Sequence, residues 1–381
     1  MTTSTLIALI PLVLGLLGLA TLLFNASLKR YKSAVILTSF LLIAIGAGLL
    51  FFTQESMRES AANGDLPATS STETIDPFVS PVSPVSPIPT AKTLTETAIT
   101  ETQVDIEGCL VFNSNRDQSI NIFSLRIDSG EIQKLTDSSG FDLDPDWSPD
   151  GTQIVFASNR DPEHGFQIYV MNADGSQQRQ LGPSRLGDNV KPNWSPDGNQ
   201  IVFQSNGDAN GNPLDDNYDI YVIDTDGTNL KQVVVNAADD TEPVWSPDGS
   251  RVAFLSERSG QDEVYLVDLE SLQITQLTSL DQLKGDLAWS TSGQQLLFIS
   301  DGEIYAVDVE TQAVNVVVSL PDSNEATPVS IPDNRLIFSS SRNGPWQLFA
   351  LDLTDSETLT LAQLTTGSEV DRSPDWFPCE P

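Results

Sequence analysis

One apolar phrase recurs six times after residue 105, and this repetition limits the possible folds more than any other feature of the chain. Each copy is a burst of apolar residues that ends in a polar one. The copies are LVFNSN, IVFASN, IVFQSN, VAFLSE, LLFISD and LIFSSS, starting at Leu110, Ile154, Ile201, Val252, Leu296 and Leu336. Their period of roughly 41 to 51 residues is typical of propeller-type arrays and not of helical solenoids.

Two further phrases follow each burst. The first comes after a loop of variable length, as in IYVIDTD from Ile220 or VYLVDLE from Val264. The second is shorter, as in QKLTD or TQLTS. All are dense in β-branched and aromatic residues and are bounded by turn formers, a pattern that predicts β-strands.

A fourth phrase precedes the burst and contains tryptophan. It reads PDWSPDG, PNWSPDG, PVWSPDG and LAWSTSG around Trp147, Trp194, Trp245 and Trp289, and PVSIPDN around Ser330. The order Ser-Pro-Asp-Gly suits a type I turn, so a short strand turns directly into the burst. Four antiparallel strands make one propeller blade, and we expect the tryptophans to lie in the core between neighbouring blades.

The earliest unit, near Gly108, has no tryptophan strand ahead of it, whereas the chain ends with one, SPDWFP from Ser373. Pairing of this C-terminal strand with the first blade closes a ring and removes the edges of an open array. The sequence therefore predicts an all-β, six-bladed propeller over residues 104–381.

These phrases resemble the WSPDG propeller repeats of the TolB family, which are also seen in prolyl-oligopeptidase-type peptidases. The resemblance covers Gly108–Phe377, but leaves no room for the amino-terminal α/β domain of TolB itself. The hydrolase domain of the peptidases is missing too, and no G-x-S-x-G motif occurs. The resemblance implies a propeller that binds partners outside the cytoplasm.

Residues 1–52 are predicted to form a transmembrane helical hairpin. Leu6–Phe24 and Ala34–Phe52 are uncharged apolar runs of membrane-spanning length. The loop between them carries Lys29, Arg30 and Lys32, so the positive-inside rule places it in the cytoplasm and the rest of the chain outside. A cleaved signal peptide is the alternative for the first span.

Residues 53–103 are predicted to form a disordered stalk that is rich in Ser, Thr and Pro. The phrase VSPVSPVSPIP lies at its centre, and Phe78 is its aromatic residue. Such a segment buries too little apolar surface to offset its ordering entropy, and spaced prolines favour an extended chain. A Pro-rich recognition motif is the alternative.

The charge of the chain restricts its partners. With 53 acidic against 19 basic residues, the net charge is −34. A basic surface for nucleic acid is therefore not expected. Partners are expected to be neutral, basic or bridged by a metal ion.

An acidic binding face was sought five residues before each tryptophan position. The acidic residues there or beside it are Asp142, Asp188, Asp240, Glu325 and Asp371. We expect them at the mouth of the central channel, where focused negative charge favours a cation or a basic segment. The alternative is that they cap turns.

The loop Asn206–Asp219 is the longest insertion. Its oxygen-bearing residues follow the spacing of an EF-hand and predict a Ca²⁺ site, at Asp208, Asn210, Asn212, Asp216 and Asp219. Pro213 replaces the expected glycine, so a solvated turn is the alternative. No other cofactor is predicted.

The two cysteines are predicted to form a disulfide. Alignment of the repeats places Cys379 at the position of Asp150 and Cys109 at that of Gln153, three positions apart around one turn. Such positions lie roughly 5–8 Å apart, which overlaps the range for disulfides. A Cys109–Cys379 bond would replace the peptide link that this blade lacks.

These features predict a membrane-anchored, extracytoplasmic module that binds a protein or ligand through an acidic face and is not an enzyme. His164 is the only histidine, so no two-histidine metal site is available. Two alternatives stay open: a lyase or hydrolase acting on an extracellular polymer, and a sensor or scaffold whose stalk spans cell-wall material.

Overall fold

The structure is a computed structural model that describes residues 99–101, 106–117, 119–182, 187–207, 217–280, 283–320, 323–354 and 359–379. The predicted hairpin and most of the predicted stalk lie outside these residues. Among the described residues, no helix reaches the length and hydropathy that a membrane crossing requires.

The regular elements of the described residues are β-strands. The first twelve are β1 (Ile99–Glu101), β2 (Cys109–Ser114), β3 (Asn121–Arg126), β4 (Glu131–Lys134), β5 (Asp142–Trp147), β6 (Gln153–Ser158), β7 (Gln167–Asn172), β8 (Arg179–Gln180), β9 (Asn189–Trp194), β10 (Gln200–Ser205), β11 (Asp219–Asp224) and β12 (Lys231–Val234).

The remaining strands follow the same order of lengths and phrases. They are β13 (Asp240–Trp245), β14 (Arg251–Ser256), β15 (Glu263–Asp268), β16 (Ile274–Gln276), β17 (Leu283–Trp289), β18 (Gln295–Ser300), β19 (Glu303–Asp308), β20 (Val314–Val318), β21 (Glu325–Ile331), β22 (Arg335–Ser340), β23 (Gln347–Asp352), β24 (Leu359–Gln363) and β25 (Asp371–Phe377).

These strands form six antiparallel sheets of the predicted kind, the blades of a propeller. Blade 1 has the order β25-β2-β3-β4, and blades 2 to 6 consist of β5–β8, β9–β12, β13–β16, β17–β20 and β21–β24. The first strand of each blade, which carries the tryptophan phrase, lines the central channel. We call these six strands the inner strands. The prediction of an all-β, six-bladed propeller is confirmed.

The apolar bursts are the second strands of the blades and form the core. They are buried from their second residue onward, because each sheet is covered by a neighbouring blade on both sides. In blade 2 the ring of Phe156 stacks on Tyr169 of the third strand at 5.8 Å. Trp194, Trp245 and Trp289 are also buried, as the repeats predicted.

The ring closes at the seam between the two ends of the propeller. Strand β25 pairs antiparallel with β2, with Cys109 opposite Phe377 and Ser114 opposite Asp371. The predicted disulfide is present, with the Cα atoms of Cys109 and Cys379 5.6 Å apart. The C-terminal strand is therefore the inner strand of the first blade.

One strand was not predicted. Ile99–Glu101, which the sequence assigned to the stalk, forms β1 and pairs in parallel with β24 at the outer edge of blade 6. The stalk prediction is therefore wrong at its end, since the propeller sheet begins at Ile99. A segment of three residues carries no periodicity, so only its pairing with a distant edge strand identifies it.

Candidate functional site

Every inner strand contains a bulge at the same position. The register with the second strand shifts in all six blades. At this point the third residue of the strand, or its equivalent, has a φ between 47° and 57°, namely Asp144, Lys191, Glu242, Asp286, Thr327 and Ser373. Side chains other than glycine rarely adopt this conformation. We call these six residues the channel ring.

The channel ring surrounds a central cavity of about 280 Å³. One half of the ring is charged and comes from blades 2 to 5, whereas Thr327 and Ser373 supply hydroxyl groups on the other half. The Ser373 hydroxyl donates to Oδ1 of Asp144 over 3.2 Å. The backbone N–H of Thr327 donates to Oδ2 of Asp286 over 3.1 Å. Neighbouring blades are thus joined at the axis.

Lys191 lies among three carboxylates of the channel ring. Its Nζ is 3.2 Å from Oε2 of Glu242, 3.5 Å from Oδ1 of Asp144 and 3.7 Å from Oδ1 of Asp286. Burial disfavours the charge of Lys191, but the three carboxylates hold its pKa above the ordinary value. Burial raises the pKa of Glu242 to about 7, against the opposing effect of Lys191. The ring is acidic, and one lysine partly neutralises it.

A second level of polar side chains lies two residues further along the inner strands. Asp375 and Asp146 each accept the backbone N–H of the tryptophan in the next blade, over 2.7 Å in both cases. Asn193 does the same for Trp245 over 2.8 Å. Burial, the largest cause, raises the pKa of Asp375 to about 6 and that of Asp146 well above its usual range.

These raised pKa values predict how stability depends on pH. The folded protein holds a proton on Asp375 up to about pH 6, whereas the unfolded chain releases it near 3.8. The folded state therefore loses relative stability as the pH rises through this window, and the loss persists at higher pH. Asp375→Asn should be about 1–2 kcal/mol more stable than the wild type at about pH 7.5, and equally stable at about pH 5.

Thermal unfolding of both proteins at the two pH values measures this difference. Asn193 shows that an amide oxygen accepts the same N–H, so the substitution keeps the hydrogen bond. Asp150→Asn is the matched control of opposite sign, because hydrogen bonds from Ser148 and Thr152 lower the pKa of Asp150. A wild type that is more stable than Asp375→Asn at the higher pH contradicts the prediction.

The predicted acidic face does not stand at the channel mouth as free charge. Asp142, Asp240 and Asp371, the first residues of their inner strands, have no exposed surface, and Glu325 is 1% exposed. Three of them bind an arginine of their own blade, with Nη2–oxygen distances of 3.1, 2.9 and 2.7 Å to Arg160, Arg258 and Arg116. A buried carboxylate needs such a partner, so these residues stabilise the blades.

The arginines belong to a repeated pattern that the sequence analysis missed. Each follows the burst in the order Ser-x-Arg, as in Ser158-Asn159-Arg160, and its Nε donates to that serine over 2.8–2.9 Å. The guanidinium lies over the aromatic rings of the second and third strands, 5.2 Å from the Phe156 centroid and 4.6 Å from that of Tyr169. This recurrence was the available signal for the ion pairs.

Two more predicted acids have structural partners. Burial raises the pKa of Glu325, which accepts from the Ser323 hydroxyl over 2.5 Å. Asp188 is half-buried and accepts the backbone N–H of Phe166 over 2.9 Å, so it caps a loop of the preceding blade. Neither is free to form the ring that the sequence suggested.

The predicted Ca²⁺ loop is described only in part. Asp208, Asn210, Asn212 and Asp216 lie outside the described residues. Asp219 is the first residue of β11, where it is buried and accepts from the Gln232 side chain over 2.7 Å. Across the described ranges, no group of three His, Cys, Asp or Glu side chains is arranged to hold a metal ion.

His164 lies in the loop between β6 and β7, away from the channel ring. Its Nδ1 is 2.8 Å from Oδ2 of Asp161, which accounts for one ring nitrogen. The contact joins residues three positions apart in one loop. It gives this histidine a local structural role.

The channel ring had a sequence signal as well. Five of its six residues precede a proline, as in Lys191-Pro192 and Glu242-Pro243. Proline cannot donate to the ladder, so inside a strand it marks an edge or a bulge. Counting three residues back from each tryptophan, and not five, would have found the residues that face the axis.

Known proteins share this architecture. The model of the family described as TolB beta propeller domain matches residues 107–212 and 187–303, together just over half of the chain. A Protein TolB homolog of Chlorobium luteolum is 29% identical over 160 residues, which cover 42% of this chain and 34% of the relative. A Tol-Pal system protein TolB of Francisella tularensis is 27% identical over 195 residues, which cover 50% and 42%. The chain thus spans less than half the length of these relatives.

The crystal structure of TolB from Acinetobacter baumannii is similar in fold. It superposes with a TM-score of 0.58 at 22% identity, over 71% of this chain and 66% of that one. At this identity the likeness concerns the fold.

Proposed function

Because the chain belongs to the TolB beta propeller domain family, we propose that it is a protein-binding module that acts outside the cytoplasm. Its binding site is the channel face, which we define as the channel ring together with the loops that lead into the inner strands. The observation that carries this proposal is the channel ring itself. Six residues in a strained conformation direct polar side chains toward one cavity, and such strain is common at ligand-binding sites.

Exposed apolar residues on the channel face support a protein partner. Phe141, directly before β5, is 47% exposed, and Val235, between β12 and β13, is 66% exposed. Aromatic and apolar anchors around a polar centre are typical of protein-binding sites. The acidic channel beneath them favours a partner segment with basic or neutral side chains.

We propose binding and not catalysis as the activity. The charged groups of the channel are engaged with one another or with backbone N–H groups, as described above. A lyase or hydrolase needs an acid, a base or a nucleophile directed at a substrate. No contact among the described channel residues favours that alternative.

We further propose that residues 1–52 hold the propeller at a membrane, with the short loop Asn25–Ser33 in the cytoplasm. This follows from the two apolar spans and the positive charges between them. Single cysteines in the stalk should react with an impermeant reagent added outside intact cells, whereas cysteines in the loop should not. Labelling of the loop alone would place the propeller in the cytoplasm.

Site-specific photocrosslinking of the full-length protein in cells tests the binding site. A photoreactive residue in place of Phe141 or of Val235 should give adducts with the same partner protein. Ile274, in the outer strand β16, is the matched control because it is also apolar and 38% exposed. Adducts of equal yield at Ile274, or different partners at the two channel-face positions, would contradict the proposal.

A further inference from the structure

The position of Lys191 within the channel ring differs from that of an ordinary surface ion pair. Surface lysines pair with one or two carboxylates on neighbouring positions, and such pairs contribute little. The Lys191 ammonium, from blade 3, is instead within 3.7 Å of carboxylates from blades 2, 4 and 5. An ammonium group has three N–H donors, and here it meets three acceptor groups.

The carboxylates hold their places independently of the lysine. Asp144 accepts from the Ser373 hydroxyl, and Asp286 accepts from the backbone N–H of Thr327. The backbone of Glu242 is fixed by its own N–H, which donates to the Gln204 side chain over 2.7 Å. Each of the three residues also stands at a bulge of its own strand. Removal of the lysine side chain should therefore leave the three carboxylates in position.

We propose that Asp144, Glu242 and Asp286 form a binding site for an alkylammonium group, and that Lys191 is its built-in occupant. The lysine satisfies three carboxylates that would otherwise repel one another in a partly buried cavity. It also closes the site to external amines. This inference goes beyond protein binding and does not depend on it, because the contact lies within one chain.

Chemical rescue of Lys191→Ala tests this proposal. The substitution removes a propylammonium group, so n-propylammonium is the probe. At about pH 8 the carboxylates are ionised, since the pKa of Glu242 is about 7. The variant should melt below the wild type, and the amine at about ten times its Kd should raise its melting temperature by roughly 3–6 °C relative to equal NaCl. The wild type should not respond.

Two matched variants identify the site. In Lys191→Met the apolar side chain fills the space of the lysine, so n-propylammonium should have no effect. In the double variant Lys191→Ala with Glu242→Gln, one carboxylate is lost and the amine response should fall at least tenfold in apparent affinity. If Lys191→Ala does not fold alone, refolding yield with and without the amine gives the same comparison.

Several results would overturn the proposal. One is an equal melting shift in Lys191→Ala and Lys191→Met, since the amine would then bind elsewhere. Another is no response of Lys191→Ala at any amine concentration. A third is stabilisation of Lys191→Ala by Ca²⁺ but not by the amine, measured in the Asp208→Ala, Asp216→Ala background to remove the insertion loop, because the cluster would then be a metal site.

Discussion

Removal of Arg372–Pro381 is expected to abolish cooperative folding of the propeller. The deletion takes away the inner strand of blade 1 and leaves the core strand β2 as an open edge. Leu110 and Phe112, which have no exposed surface in the intact ring, then lose the strand that pairs beside them. An exposed apolar edge of this kind favours association between chains.

The deletion also breaks contacts that join blade 1 to its surroundings. Trp147 loses the hydrogen bond of its backbone N–H to Asp375 and its ring contact with Phe377, at 5.7 Å between centroids. The indole N–H of Trp376 no longer donates to the carbonyl of Glu107. The total loss should approach the whole free energy of unfolding of a domain, about 5–15 kcal/mol.

Replacement of both cysteines by serine is the matched control, because it leaves the strand in place. Cys109→Ser with Cys379→Ser should cost about 2–4 kcal/mol and keep the propeller folded. Calorimetry and circular dichroism of the full-length variants distinguish the two cases. A truncated protein that still melts in one sharp transition near the wild-type temperature would show that five complete blades suffice.

Asp240→Ala is expected to destabilise the propeller by about 3–5 kcal/mol, since it leaves the guanidinium of Arg258 without its carboxylate in a largely buried position. The Asp240 side chain has no exposed surface, and that of Arg258 is 23% exposed. Asp240 also accepts from the Asn236 side chain over 2.5 Å. Both partners would lose their acceptor.

The double variant Asp240→Ala with Arg258→Met tests the cause. Methionine can occupy the space above Phe254 and Tyr265, over which the guanidinium lies at 5.3 and 4.9 Å. If the loss comes from the unpaired charge, the double variant should recover most of it in urea unfolding. Asp188→Ala, at a half-buried position, should cost less than about 1 kcal/mol. Equal costs for Asp240→Ala and Asp188→Ala would return Asp240 to the list of binding residues.

The repeats allowed the architecture to be predicted from the sequence, because each blade repeats the same local instructions. Turn formers, apolar bursts and tryptophans recur in one order, so the number of blades follows from counting. The seam followed from the same counting, since Trp376 and Leu110 complete each other's repeat. Pairing of the two cysteines could then be predicted from their positions around one turn.

The binding residues could not be predicted in the same way. A strand that alternates regularly presents its first and third residues on one side, so Asp142 and Asp144 would be expected to face the same way. The bulge interrupts this alternation. As a result Asp142 lies inside the blade against Arg160, whereas Asp144 faces the axis. Distances such as those around Lys191 depend on contacts between blades, which no single repeat encodes.

The disulfide at the seam has a topological consequence. Between Cys109 and Cys379 the chain and the bond form a closed covalent loop, so a single cut by a protease within it releases no fragment. The exposed Asn343–Gly344 turn on blade 6 is a place where such a cut would leave both new termini attached to their own blades. Under oxidising conditions the nicked protein remains one molecule, and two cuts are needed before any blade is lost.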